Sequence, residues 1–198
     1  MLKDKMTHYI NEQKTDSSEG GIVLFPEEKN YANKHQLGET LPFVEKDPRT
    51  RFKDAYIERC DKETENMIKN ESFSFLSEPL QYLNNHNNEF IYLESAWFDL
   101  IHVDAISLER DDVFGTYDVM LGLKLQKKHE KKLKEQLDGS LQGNEAKFDL
   151  IFSQEDGLWN LNFALNYVDG FNDELTIGDA FQLIYHFLFK LLEAVEGQ

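Results

Sequence analysis

Two stretches of this chain alternate apolar and polar residues with a period of two. In the first, Tyr117, Val119, Leu121, Leu123 and Leu125 face one way and Asp118, Met120, Gly122 and Lys124 the other. In the second, Trp159, Leu161, Phe163, Leu165 and Tyr167 alternate with Asn160, Asn162, Ala164 and Asn166. An extended chain puts every second side chain on one face, so both predict strands of a sheet with one dry and one wetter side. Gln154-Glu-Asp-Gly157 supplies a hairpin turn, with glycine where a positive φ is easiest. The turn predicts Lys147 to Ser153 and Leu158 to Val168 as antiparallel neighbours.

Phe90 to Leu93, Asp99 to Glu109 and Val113 to Leu125 predict three earlier strands. A shorter helix opening at Ser77-Glu-Pro-Leu precedes them, and a Lys-rich helix from Gln126 to Leu137 follows. Thr176 is a good N-cap, with Asp179 at the third helical position, where an acid also suits the helix dipole. Ile177, Phe181, Ile184, Leu188, Leu191 and Val195 then recur at spacings of three and four, the stripe of an amphipathic helix. The expected fold class is α+β: an antiparallel sheet of about five strands in the order α-β-β-β-α-β-β-α, with helices packed on one face. That domain is expected to span 71–198. Residues 1–70 are expected as a polar N-terminal appendage. It contains a helix from Met1 to Gln13, a flexible turn from Asp16 to Gly21, and a short strand Ile22 to Phe25 stopped by Pro26. A polar helix from Arg51 to Ile68 carries a thin stripe of Phe52, Tyr56, Cys60 and Met67.

Charge divides at the same place. Of 37 acidic and 21 basic residues in the 198-residue chain, the first 70 positions carry a net −2 and the rest −14. Phosphate repulsion makes duplex nucleic acid and anionic membrane surfaces unsuitable partners. The first residues show no apolar leader core, and the longest apolar stretch, Ala180 to Val195, is interrupted by Gln182, His186, Lys190 and Glu193. A cytoplasmic protein with Cys60 as an ordinary free thiol is expected. His186 is expected as a partly buried core histidine.

Candidate chemistry is sparse. No GxGxxG, GxxxxGK, GxSxG or HExxH pattern occurs, and His86-Asn-Asn-Glu89 lies in an Asn-rich loop. His102 and Asp104 fall on one face of a predicted strand, and Glu94 with Asp104 is a candidate carboxylate pair for acid–base work. Asn is depleted in strands, so Asn160, Asn162 and Asn166 in one row mark a wet face or a surface that meets a polar ligand. His102, Asp104, Asn160, Asn162 and Asn166 are therefore the candidate ligand-binding residues, and no metal site is expected. Lys127, Lys128, Lys131 and Lys134 concentrate positive charge on one helix of an acidic domain. They are the candidate contact to an acidic surface on a second copy or another protein.

Phe52-Lys-Asp-Ala-Tyr-Ile-Glu-Arg-Cys-Asp-Lys-Glu-Thr-Glu, Asn88-Glu-Phe-Ile-Tyr-Leu-Glu-Ser and Tyr117-Asp-Val-Met-Leu-Gly-Leu-Lys-Leu together resemble a small uncharacterised family of Bacillus-like bacteria. Its members sometimes carry the label branched-chain amino acid aminotransferase, and Ile22-Val-Leu-Phe-Pro-Glu-Glu-Lys-Asn is similar to a block of those enzymes. The resemblance implies a pyridoxal-phosphate enzyme as the alternative function. Such enzymes have two domains and far longer chains. Neither the strand bearing their Schiff-base lysine nor their phosphate-binding loop has a counterpart here. The order of elements is also similar to the dimeric secretion-chaperone fold, which holds extended polypeptide. The expected function is a non-catalytic binding or interaction protein without a cofactor, chaperone-like and homodimeric.

Overall fold

A computed structural model describes residues 1–16, 21–38, 42–143 and 148–197. The expected turn between Asp16 and Gly21 and the start of a strand at Lys147 lie largely outside the described residues. The chain forms two compact units, Met1–Arg51 and Phe52–Gln198.

The first unit contains α1 (Leu2–Asp16), β1 (Ile22–Leu24), α2 (Pro26–Lys34) and β2 (Phe43–Glu45), with β1 and β2 paired in parallel. Leu2, Met6 and Ile10 are fully buried, the i, i+4, i+8 face that the sequence spacing requires. Pro26 does end β1, and it also opens α2, where its missing N–H would have had no helical partner.

In the second unit, β3 (Tyr56–Asp61), β4 (Met67–Glu71), β5 (Glu89–Glu94), β6 (Val103–Arg110), β7 (Tyr117–Leu123), β8 (Phe148–Ser153) and β9 (Leu158–Ala164) form one antiparallel sheet in the order β4-β3-β5-β6-β7-β9-β8. The helices of this unit are α3 (Tyr82–Asn85), α4 (Ala96–Leu100), α5 (Glu130–Ser140) and α6 (Ile177–Glu196). The α+β class and antiparallel sheet agree with expectation; the strand count is seven. The two extra strands replace the expected helix from Arg51 to Ile68. Asp61 makes a tight turn there, accepting from Thr64 N at 2.9 Å and Thr64 Oγ1 at 2.8 Å, and β3 is paired on both edges. Backbone pairing on two sides outweighs the weak helical stripe. Ser77 caps no α-helix: Phe73–Ser77 is a 3-10 turn, and Pro79 bridges Thr176.

Register builds the two faces. Ile57, Leu93, Ile106, Leu121, Leu161 and Leu150 form one lateral row across six strands. The first five are buried, each worth roughly 1.5–3 kcal/mol on full burial. Phe163 on the same face meets Phe187 of α6 at 5.0 Å, so this side carries the helix and leaves no room for a ligand at that contact. One residue along, Glu58, Tyr92, Ser107, Met120, Asn162 and Asp149 form the matching row on the opposite, open face. The long helix begins as the sequence predicts: Thr176 Oγ1 accepts from Asp179 N at 3.1 Å, and Asp179 Oδ2 accepts from Thr176 N at 3.2 Å. No described helix is long and apolar enough to cross a membrane.

Candidate functional site

One groove, of about 610 Å³, lies where β7, β8 and β9 approach the β6–β7 turn. Its polar walls are Asp111, Thr116, Asp118, Asp149 and Asn162, and its apolar walls include Phe114, Phe148 and Tyr167. No Lys or Arg is among the described lining residues.

The turn is held rigidly from within. Asp111 Oδ1 accepts from Val113 N at 2.7 Å and Phe114 N at 2.6 Å, while Asp111 N donates to Thr116 O at 2.8 Å. Gly115 takes φ +68°, a conformation that glycine adopts without strain, and Arg110 Nη1 donates to its carbonyl. The consequence is an ordered tip presenting Val113 at 82% and Phe114 at 80% exposure. The strand expected from Val113 therefore begins at Tyr117, because Asp111 and Gly115 commit the preceding residues to the turn.

Electrostatics sharpen the groove. Asp118 accepts from Thr116 Oγ1 at 2.8 Å, and burial followed by the charge of Asp111 holds its carboxyl above the usual range against the lowering effect of that bond. Glu109, its cross-strand neighbour, is likewise pushed up, first by burial and then by Asp118, Asp111 and Asp112, with Lys62 opposing. Carboxylates that are costly to ionise side by side gain from an incoming cation.

The residues expected to bind ligand do not converge. His102 precedes β6, in the left-handed region at φ +58°, with Nε2 3.5 Å from Glu196 Oε1. Asp104 is exposed and ion-paired with Lys124. The common strand face fails because Ser95 caps α4, which takes Phe98 to within 5.6 Å of Phe52, so β6 begins only at Val103, with a bulge before Ile106. Asn162 lies in the groove; Asn160 is on the same open face opposite Gly122 and Ile151. Asn166 is not in the row, since β9 ends at Ala164 and a 3-10 turn follows; its Oδ1 instead accepts from Tyr117 N at 2.7 Å. Asp111, Phe114 and Asp118 carry the groove instead. Their sequence signal was an Asp-Asp-Val-Phe-Gly turn with its apolar pair between acids.

The Lys-rich segment is split. Lys127 and Lys128 lie in a 3-10 turn, with Lys127 Nζ 5.3 Å from the centre of the Phe152 ring, and Lys131 and Lys134 lie on α5. Lys131 and Lys134 face Glu135 and Glu130 at 3.8 and 2.8 Å, so the continuous helix expected from Gln126 begins only at Glu130 and two of its lysines are met by acids. Cys60 is buried, and its thiol is pushed up by burial and Glu58, the wrong direction for a nucleophile. His186 is exposed on α6, a correction to the partly buried reading. Among the described residues no group of three His, Cys, Asp or Glu is arranged to hold a metal ion. Comparison of the chain with protein-family models, with curated proteins and with solved structures finds no match.

Proposed function

We propose that the protein is a non-catalytic binding module whose open sheet face takes a positively charged, partly apolar segment of another polypeptide. The observation that carries this reading is the groove of three aspartates, 111, 118 and 149, with Phe114 standing exposed at its lip and no described cation lining it. A Lys or Arg side chain would bring charge to the carboxylates and its methylene stem to the aromatic walls. An apolar neighbour in the same segment would pack against Phe114 and Val113. Charge of this kind governs encounter and selectivity, and the buried aromatic contact governs residence. A second copy of this chain is one source of such a segment, through Lys127, Lys128 and Lys131.

The test is titration of the full chain with fluorescein-labelled peptides alternating Lys with Phe, or Glu with Phe, followed by anisotropy. The lysine peptide is expected to bind at micromolar concentration, about −8 kcal/mol, and to weaken as salt rises from about 0.05 to 0.5 M. Equal binding of both peptides, or of neither, overturns the reading.

A further inference from the structure

On the other side of the β6–β7 turn lies a second hollow, of about 500 Å³, built around Tyr117. Its lining is of a different kind. Four carboxamides (Gln81, Asn84, Asn85 and Asn166) share it with one guanidinium, Arg110, and one carboxylate, Asp173.

Two of the amides are oriented by the fold. Tyr117 OH donates to Asn84 Oδ1 at 3.0 Å, and Tyr117 N donates to Asn166 Oδ1 at 2.7 Å. Both amide oxygens are thereby used, and neither amide nitrogen has a protein partner among the described residues. Gln81 is fixed the opposite way: its Nε2 donates to Asp173 O at 2.7 Å, which leaves its Oε1 as an acceptor. Arg110 is anchored through Gly115 O and lies 5.0 Å over the Tyr117 ring.

The hollow thus offers donors from Asn84, Asn166 and Arg110 and acceptors from Gln81 and Asp173. Its formal charge balances, so it selects for no net ionic ligand. A carboxylate or phosphate would satisfy the donors but would face Asp173. An ammonium would face Arg110. Hydroxyl groups accept and donate at once, and a ring of them can use both sets. We propose that this hollow is a binding site for a small uncharged polyhydroxyl compound of mono- or disaccharide size. The volume is within the range of small-molecule sites. The polar groups are oriented before the ligand arrives, which lowers the ordering cost of binding.

The experiment is a titration of the full-length chain, labelled with nitrogen-15, reading the side-chain NH2 resonances of asparagine and glutamine by NMR. Glucose, maltose and myo-inositol are the probes, with citrate as an anionic control and glycine as a zwitterionic one. Saturable shifts of the Asn84, Asn85 and Asn166 amides are expected with at least one of the three polyols. Asn85→Leu and Asp173→Leu change exposed rim side chains, and each is expected to weaken that binding about tenfold, or 1.4 kcal/mol. The proposal is overturned if no polyol gives a saturable shift up to about 50 mM, well above the millimolar constants of weak sites. It is equally overturned if citrate or glycine alone does so, or if both variants bind like the wild type.

Discussion

Arg51 grips Glu28 through two hydrogen bonds, Nη1 to Oε1 at 2.7 Å and Nη2 to Oε2 at 3.1 Å, with both side chains withdrawn from water. Arg51 Nη2 also donates to Glu27 Oε2 at 2.6 Å, and the guanidinium lies 4.2 Å over the Phe25 ring. The same charges reach Tyr9, whose hydroxyl is pushed up to about 12 by burial and by Glu28, with Arg51 opposing. Removing Arg51 takes both guanidinium hydrogen bonds from the buried Glu28 carboxylate. Arg51→Ala is expected to cost about 3–5 kcal/mol of stability, whereas Arg51→Met with Glu28→Leu is expected to recover most of it. Urea denaturation of the two variants beside the wild type checks this. A double variant as damaged as the single one contradicts it.

Thr176 and Asp179 make a smaller and more local contribution. Each side chain accepts from the other's backbone N–H, so two donors at the start of α6 depend on the pair. Thr176→Ala is expected to destabilise by about 1 kcal/mol, and Thr176→Ser by a few tenths. The measure is the thermal midpoint, expected to fall by roughly 2–4 °C for a chain of this length.

These two contacts differ in how far the sequence discloses them. The cap is local: Thr, three positions, Asp and an apolar stripe are all visible in one window. The alternation of β7 and the first part of β9, and the Gly157 turn, are visible for the same reason. Arg51 and Glu28 are 23 positions apart, and nothing in either neighbourhood selects the partner. β3 shows the limit most plainly, because Phe52, Tyr56 and Cys60 mimic a helical stripe. Its extended state follows from pairing with β5, whose register no local pattern states. The groove was legible only in its parts. Asn162 stands out by its residue type, but Asp118 and Asp149 reach the same place only because β7, β9 and β8 are neighbours in the sheet.

Asp118 sets up a dependence on pH. Its ordinary value is 3.8, and the folded value is higher, chiefly through burial. The folded chain therefore holds this proton more tightly than the unfolded one, and stability falls as pH rises from the ordinary value through the folded one. Above that window the cost is complete. Asp118→Asn keeps an oxygen to accept from Thr116 and removes the cost. The variant is expected to melt higher than the wild type at pH 7 and to converge with it near pH 3, below the ordinary value. Denaturation midpoints across that range check the sign; a variant less stable at pH 7 refutes it.

Lys127 and Lys131 test the role of a second copy. Neither is buried, and Lys131 has an acid one turn away, so Lys127→Glu with Lys131→Glu is expected to cost under about 1 kcal/mol of stability. If these lysines enter the acidic groove of another copy, sedimentation velocity will show the wild type associating and the double variant not. Unchanged association assigns the contact elsewhere.

Phe114 separates folding from binding more cleanly than any acid in the groove. At 80% exposure it contributes little to stability, and the turn beneath it is held by Asp111 and Gly115 through backbone groups that a substitution leaves in place. Phe114→Ser is therefore expected to shift the denaturation midpoint within the roughly 0.5 kcal/mol typical of surface positions. An aromatic side chain at the lip of a groove that a bound segment would cover is the kind of residue that dominates an interface, where truncation costs about 2 kcal/mol or more. The lysine–phenylalanine peptide should accordingly lose about thirtyfold in affinity with this variant, with most of the change in its dissociation rate. Val113→Ser, on the same tip but outside the groove lining, should lose less. A Phe114→Ser protein that binds like the wild type would leave the carboxylates alone to hold the peptide, and binding would then vanish at high salt in both proteins.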